Sequence, residues 1–237
     1  MVARMTQKDK SNKIIIALDY DNKESVIKLC NLLDPSYCRM KVGKQLFTKY
    51  GPYIIDLIHS KNFEIFLDLK FHDIPVTVYK ACIEAYKLGI WMINIHLLGG
   101  EEMVNAAREA KDKTNSSALI IGVSLLTSHD NKSLINLGFK DRETTVQKLA
   151  MLAENCSIDG IVCSPSDITS VKDVASDLIY VTPGIRLSDI NDDHANVYTP
   201  QKALSIGSDY LVIGRPITEA KDPMEVVKKI TSSIENH

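Results

Sequence analysis

Several features are missing from this 237-residue chain, and each absence removes a class of function. No apolar run reaches the roughly 20 residues that a membrane-spanning helix needs. The five cysteines, Cys30, Cys38, Cys82, Cys156 and Cys163, are odd in number and scattered, with neither CxxC nor zinc-ligand spacing. That pattern argues against a disulfide framework and predicts reduced thiols in a cytoplasmic protein. Met1 to Asn12 is polar and basic without an apolar centre, so a frayed tail is expected there rather than a secretory signal. With 28 Lys and Arg against 30 Asp and Glu, the formal charge of −2 gives no pull toward nucleic acid or an anionic membrane. There is no GxGxxG after a strand and no P-loop, so no motif implies a cofactor. No linker or low-complexity stretch divides the chain, and residues 13–237 read as one domain.

What is present is alternation. Short β-branched runs are predicted as strands at 14–19, 39–43, 64–69, 91–96, 118–123, 160–163, 178–182 and 210–213. Helical patterns fall between and after them at 23–33, 45–60, 75–88, 101–112, 142–155, 166–174, 200–206 and 223–234. The strands are nearly unbroken in apolar character, as expected when both faces of a parallel sheet are covered. Crossovers of this length force parallel pairing. Eight βα units in one chain of this size predict an α/β fold, a single closed (β/α)8 barrel of the TIM type.

The stretch from Phe66 to Pro75 organises the rest. Along a strand, Phe66, Asp68 and Lys70 share one face while Leu67 and Leu69 share the other. An acid and a base two residues apart on the same face will meet. Asp73 follows just past the strand end, before Ile74-Pro75 opens a helix. A structural salt bridge is the plain reading of Asp-x-Lys. It weakens where the strand is buried, because lone charges there are costly.

In a barrel, the carboxyl ends of the strands and the loops after them build the site. Polar residues recur at those ends: Asp19, Lys41, Asp68 with Lys70, His96, Thr127 and Ser128, Thr182 to Arg186, and Gly214-Arg215. A lone His96 is more often a structural histidine. The last two ends read as an anion site, since phosphate in barrels binds after strands seven and eight. Gly184 and Gly214 allow close backbone approach, and Arg215 supplies a fork that matches phosphate. The alternative is a simple Gly-Arg-Pro turn with Arg215 solvated. Lys41, Asp68, Lys70 and Asp73 would alternate in sign, each charge favouring its opposite neighbours, so that both lysines stay protonated and both acids ionised. A protonated Lys70 can deliver a proton to a carbanion, and an ionised Asp68 would favour loss of a substrate carboxylate as CO2.

These residues resemble the orotidine 5'-monophosphate decarboxylase family in its bacterial form. The resemblance runs from Ala17-Leu18-Asp19 to Ile213-Gly214-Arg215-Pro216. It includes Lys41-Val42-Gly43, the Asp-x-Lys-x-x-Asp-Ile-Pro-x-Thr run, His96 with Gly99-Gly100, and Thr182-Pro183-Gly184-Ile185-Arg186. It implies conversion of orotidine 5'-monophosphate to UMP, the last step of pyrimidine synthesis, without a cofactor or metal. It also implies a homodimer with shared sites, into whose partner Asp73, Ile74 and Thr77 would reach. Lys70 would protonate C6 of the pyrimidine. Asp19 and Lys41 would bind the ribose hydroxyls, and Thr127 would contact the pyrimidine region. Arg186, Gly214 and Arg215 would hold the phosphate side, with Pro183 also among the substrate-binding residues, under a lid from Leu187 to Tyr198.

One stretch departs from the family pattern Asp-Gln-x-Arg-x-x-Thr-Pro. Here His194 stands where Gln is expected and Asn196 where Arg is expected. An imidazole can donate to a phosphate oxygen, so His194 is expected to keep the phosphate contact and alter the one to the base. Magnesium-dependent relatives on the same barrel, such as keto-gulonate-phosphate decarboxylase and hexulose-phosphate synthase, carry an acid at the end of strand two. Lys41 argues against them. A non-catalytic nucleotide-binding barrel would not require Lys70.

Overall fold

A computed structural model of the chain describes residues 12–187 and 198–235. Eight strands close into a barrel in the order β1 to β8: Ile14–Ala17, Cys38–Gly43, Ile65–Phe71, Met92–His96, Leu119–Val123, Gly160–Val162, Ile179–Thr182 and Tyr210–Ile213. Every neighbouring pair is parallel, and β1 pairs with β8 to close the ring. The chain is therefore the (β/α)8 barrel that its alternation predicts.

Strand alternation sorts the core into two clusters. Ile14, Ile16, Met40, Val42, Ile65, Leu67, Ile93 and Ile95 point outward and pack beneath the helices. Ile15, Ala17, Phe66, Met92, Ile121, Val181 and Tyr210 fill the barrel interior. At the amino end of β2, buried Arg39 lies 4.0 Å over the Trp91 ring and donates to Glu64 at 2.9 Å. Asn12, expected within a frayed tail, is instead buried, and its carbonyl accepts from Arg39. Residues 1–11 of that expectation lie outside the described ones.

The other differences are local. The helix expected over 45–60 is two, Lys44–Tyr50 and Tyr53–His59, because Gly51 at φ 57° and Pro52 interrupt it. An extra helix, Asn131–Asn136, stands in the loop after β5, capped by the Asp130 side chain. A short turn of helix, Arg215–Thr218, follows β8. β3 runs two residues past its expected end, to Phe71, through an irregularity between Leu67 and Phe71. Among the described residues, no helix is long and apolar enough to cross a membrane. All five cysteines are free thiols and buried.

Candidate active site

The carboxyl ends of the strands surround a cavity of 410 Å³. β2 and β3 deliver three of its charged groups, Lys41, Asp68 and Lys70. Lys41 and Asp68 are buried, and the Lys41 Nζ lies 3.1 Å from Asp68 Oδ2. The Lys70 Nζ donates to Asp68 Oδ1 at 2.5 Å. Asp19, at the mouth and largely exposed, lies 3.6 Å from the same Lys41 ammonium. Burial alone would push the Asp68 carboxyl up. The charges of Lys41 and Lys70, with hydrogen bonds from Lys70 and Asn94, outweigh it and hold the group below the usual carboxylate range. One ionised carboxylate thus bridges two ammonium groups inside a cavity.

Of the residues expected at the site, Asp19, Lys41, Asp68, Lys70, Thr127, Pro183, Gly184, Arg186, Gly214 and Arg215 all line this cavity. Gly184 takes φ 82° with open space where a side chain would stand. Arg186 is fixed at the backbone, its N–H donating to the Tyr198 carbonyl at 3.0 Å. The structure does not bring Asp73, Ile74 or Thr77 to the cavity of their own chain. All three are exposed, and Asp73 accepts from the Ile74 N–H at 2.7 Å. Within one chain the alternating row therefore stops at Lys70. Ser128 is also exposed and outside the cavity lining. His194 and Asn196 lie outside the described residues, as does most of the 187–198 segment.

His96 is buried beside the site, its ring stacked on His72 at 5.2 Å between centroids. Desolvation first, then the nearby charges of His72 and Lys70, lower its pKa from 6.5 to about 4. It does not line the cavity. Asn94 does line it and was not singled out from the sequence. The available signal was an amide between Ile93 and Ile95 in an otherwise apolar strand.

Comparison with known proteins decides the family. Residues 12–230 match the model of the orotidine 5'-phosphate decarboxylase / HUMPS family. This chain belongs to that family. It is 47% identical to an orotidine 5'-phosphate decarboxylase of Nitrosospira multiformis, over 94% of each chain. It is 46% identical to one of Nitrosococcus oceani, over 96% of this chain and 99% of the relative. The crystal structure of orotidine 5'-phosphate decarboxylase from Lactobacillus acidophilus superposes with a TM-score of 0.84 at 34% identity, covering 94% of this chain and 99% of that one. Within the family's barrel, an ammonium at the end of β2 sits between the Asp19 and Asp68 carboxylates, where a divalent metal would meet a like charge.

Proposed function

We propose that the chain decarboxylates orotidine 5'-monophosphate to UMP by electrostatic preorganisation, with Lys70 as proton donor. The observation that carries this is the Asp68 carboxylate shared between Lys41 and Lys70 at the wall of the cavity. A substrate carboxylate placed beside Asp68 meets a fixed negative charge. Its carbon–carbon bond to the ring breaks, CO2 leaves, and the electron pair stays on C6. The Lys70 Nζ–H gives its proton to that carbon, and the resulting amine is reprotonated from solvent. No metal or cofactor enters this balance.

The remaining residues bind. Asp19 and Lys41 face the mouth, where ribose hydroxyls can accept and donate. Gly184, Arg186, Gly214 and Arg215 supply backbone approach and guanidinium charge for the phosphate at the ends of β7 and β8. Thr127, from the loop after β5, faces the pyrimidine.

The working unit is a homodimer in which Asp73, Ile74 and Thr77 complete the partner's site. Two features support this. Ile74 and Val76 are exposed at 61% and 53%, an apolar edge beside the exposed Asp73 carboxylate. A hollow of 200 Å³ whose charged lining is Asp19, Lys41, Lys44, Asp68 and Lys70 opens on the flank of the row, where a further carboxylate beside Lys70 would continue the alternation.

An ultraviolet assay of the purified protein with orotidine 5'-monophosphate in metal-free buffer tests the reading. Turnover that EDTA leaves unchanged is expected. Absence of turnover, or its loss on chelation, would overturn it.

A further inference from the structure

The pairing of β3 with β4 loses its register where the charges sit. Phe66 pairs with Met92 and Leu67 with Ile93, but the next pair is Phe71 with Ile95. Asp68, Leu69 and Lys70 on β3 thus stand opposite the single residue Asn94 on β4. A bulge of this kind leaves backbone groups without ladder partners. It also drives Lys70 to φ 50°, a left-handed conformation that costs a lysine about 1 kcal/mol or more.

Asn94 answers both problems with one amide. The Lys70 N–H donates to Asn94 Oδ1 at 2.7 Å, and Asn94 Nδ2 donates to Asp68 Oδ1 at 2.6 Å. The orientation of the amide is forced, because a backbone N–H can only donate and an ionised carboxylate can only accept. Asn94 is 1% exposed, so neither bond has water as a ready substitute. Asp68 Oδ1 is the same oxygen that receives the Lys70 ammonium. The amide therefore grips Lys70 at its backbone and the acceptor of its side chain at once.

We infer that Asn94 is a positioning residue: its side chain holds the turned backbone of Lys70 and the Asp68 carboxylate in one frame, and so sets where the Lys70 ammonium stands. The inference deepens the reading of Lys70 as proton donor and rests on it for its catalytic consequence. A buried asparagine that only satisfied a loop would contact one of these groups. Contact with both couples the geometry of the donor to that of its counter-ion.

Two variants and two readouts test it. Asn94→Ala removes both bonds, and kcat should fall about tenfold to a hundredfold, the range that one hydrogen bond to a charged group supports. KM should change far less, since ribose and phosphate are held elsewhere. Asn94→Asp keeps the shape and the acceptor for the Lys70 N–H, but sets a second carboxyl against Asp68. The groups facing it are Asp68, Lys41 and Lys70, with Asp19 behind Lys41 and His96 two residues along β4. The two carboxyls must then share a proton. Activity of this variant should be retained at acidic pH and decline as pH rises, a limb the parent lacks. Either variant showing the parent's kcat and pH profile would overturn the inference. So would a fall in KM-dependent binding alone.

Should the parent show no turnover, the proposed reaction fails, and Asn94 is judged on the second readout. Titration of the Asp68 carboxyl, followed by carbon NMR of labelled protein, should move upward in Asn94→Ala. An unchanged titration would sink the positioning role independently of any activity.

Discussion

Asp68 and Asp73 belong to one motif yet occupy different surroundings: Asp68 is buried between two ammonium groups, whereas Asp73 is exposed and, among the described residues, accepts from its neighbour's backbone N–H. If Asp73 serves the partner's site, each site needs Lys70 from one subunit and Asp73 from the other. Lys70→Ala and Asp73→Ala proteins should each be inactive. Mixed and re-associated, they should recover activity toward about a quarter of the parental sites, since half the dimers are hybrids with one intact site each. No recovery in a mixture shown to contain hybrids would refute the shared site.

Lys70→Ala separates chemistry from binding. Loss of a positioned proton donor should lower kcat by at least about 10² to 10⁴. Binding of UMP, which carries no carboxylate at the reacting carbon, should shift only a few-fold by calorimetry. Retained turnover would remove Lys70 from the mechanism.

His96 should make the fold acid-sensitive. Its pKa is lowered from 6.5 to about 4, so between those values the unfolded chain binds a proton that the folded one does not. Stability therefore rises with pH across this window, and is lost as pH falls from 6.5 toward about 4. Above the window both states are neutral and the contribution is flat. Denaturant melts at a series of pH values should show a shallower slope in His96→Asn than in the parent. Asp68, whose pKa is also depressed, adds a second loss at lower pH, as its own carboxyl is protonated.

Gly160→Ala should destabilise the barrel without touching the site. A Cβ at Gly160 would lie 2.3 Å from the Ile179 carbonyl oxygen, in the adjoining strand β7. Backbone cannot yield as a flexible side chain can, so a loss of about 1–3 kcal/mol is expected. Thermal melting measures it. An unchanged midpoint would mean that β6 and β7 can separate at no cost.

Much of this protein was written along the chain. Strand positions, the parallel order and barrel closure follow from eight apolar runs separated by helix-length connections, because such connections leave parallel pairing as the workable option. The meeting of Asp68 with Lys70 follows from strand periodicity, and both line one cavity with Phe66. Helix breaks were less legible: Gly51-Pro52 splits a run whose apolar spacing continues through it.

Tertiary structure alone decided three things. It shifted β3 against β4, so that Asn94 rather than a backbone carbonyl receives the Lys70 N–H. It buried Arg39, a residue whose charge by itself predicts exposure, by stacking it on Trp91 and pairing it with Glu64. It also turned Asp73 out of the row formed by Lys41, Asp68 and Lys70. Periodicity is a local property and survives in one dimension. Register between strands, desolvation of a side chain and the direction of a loop depend on which neighbours arrive across space, and the linear chain does not contain those distances.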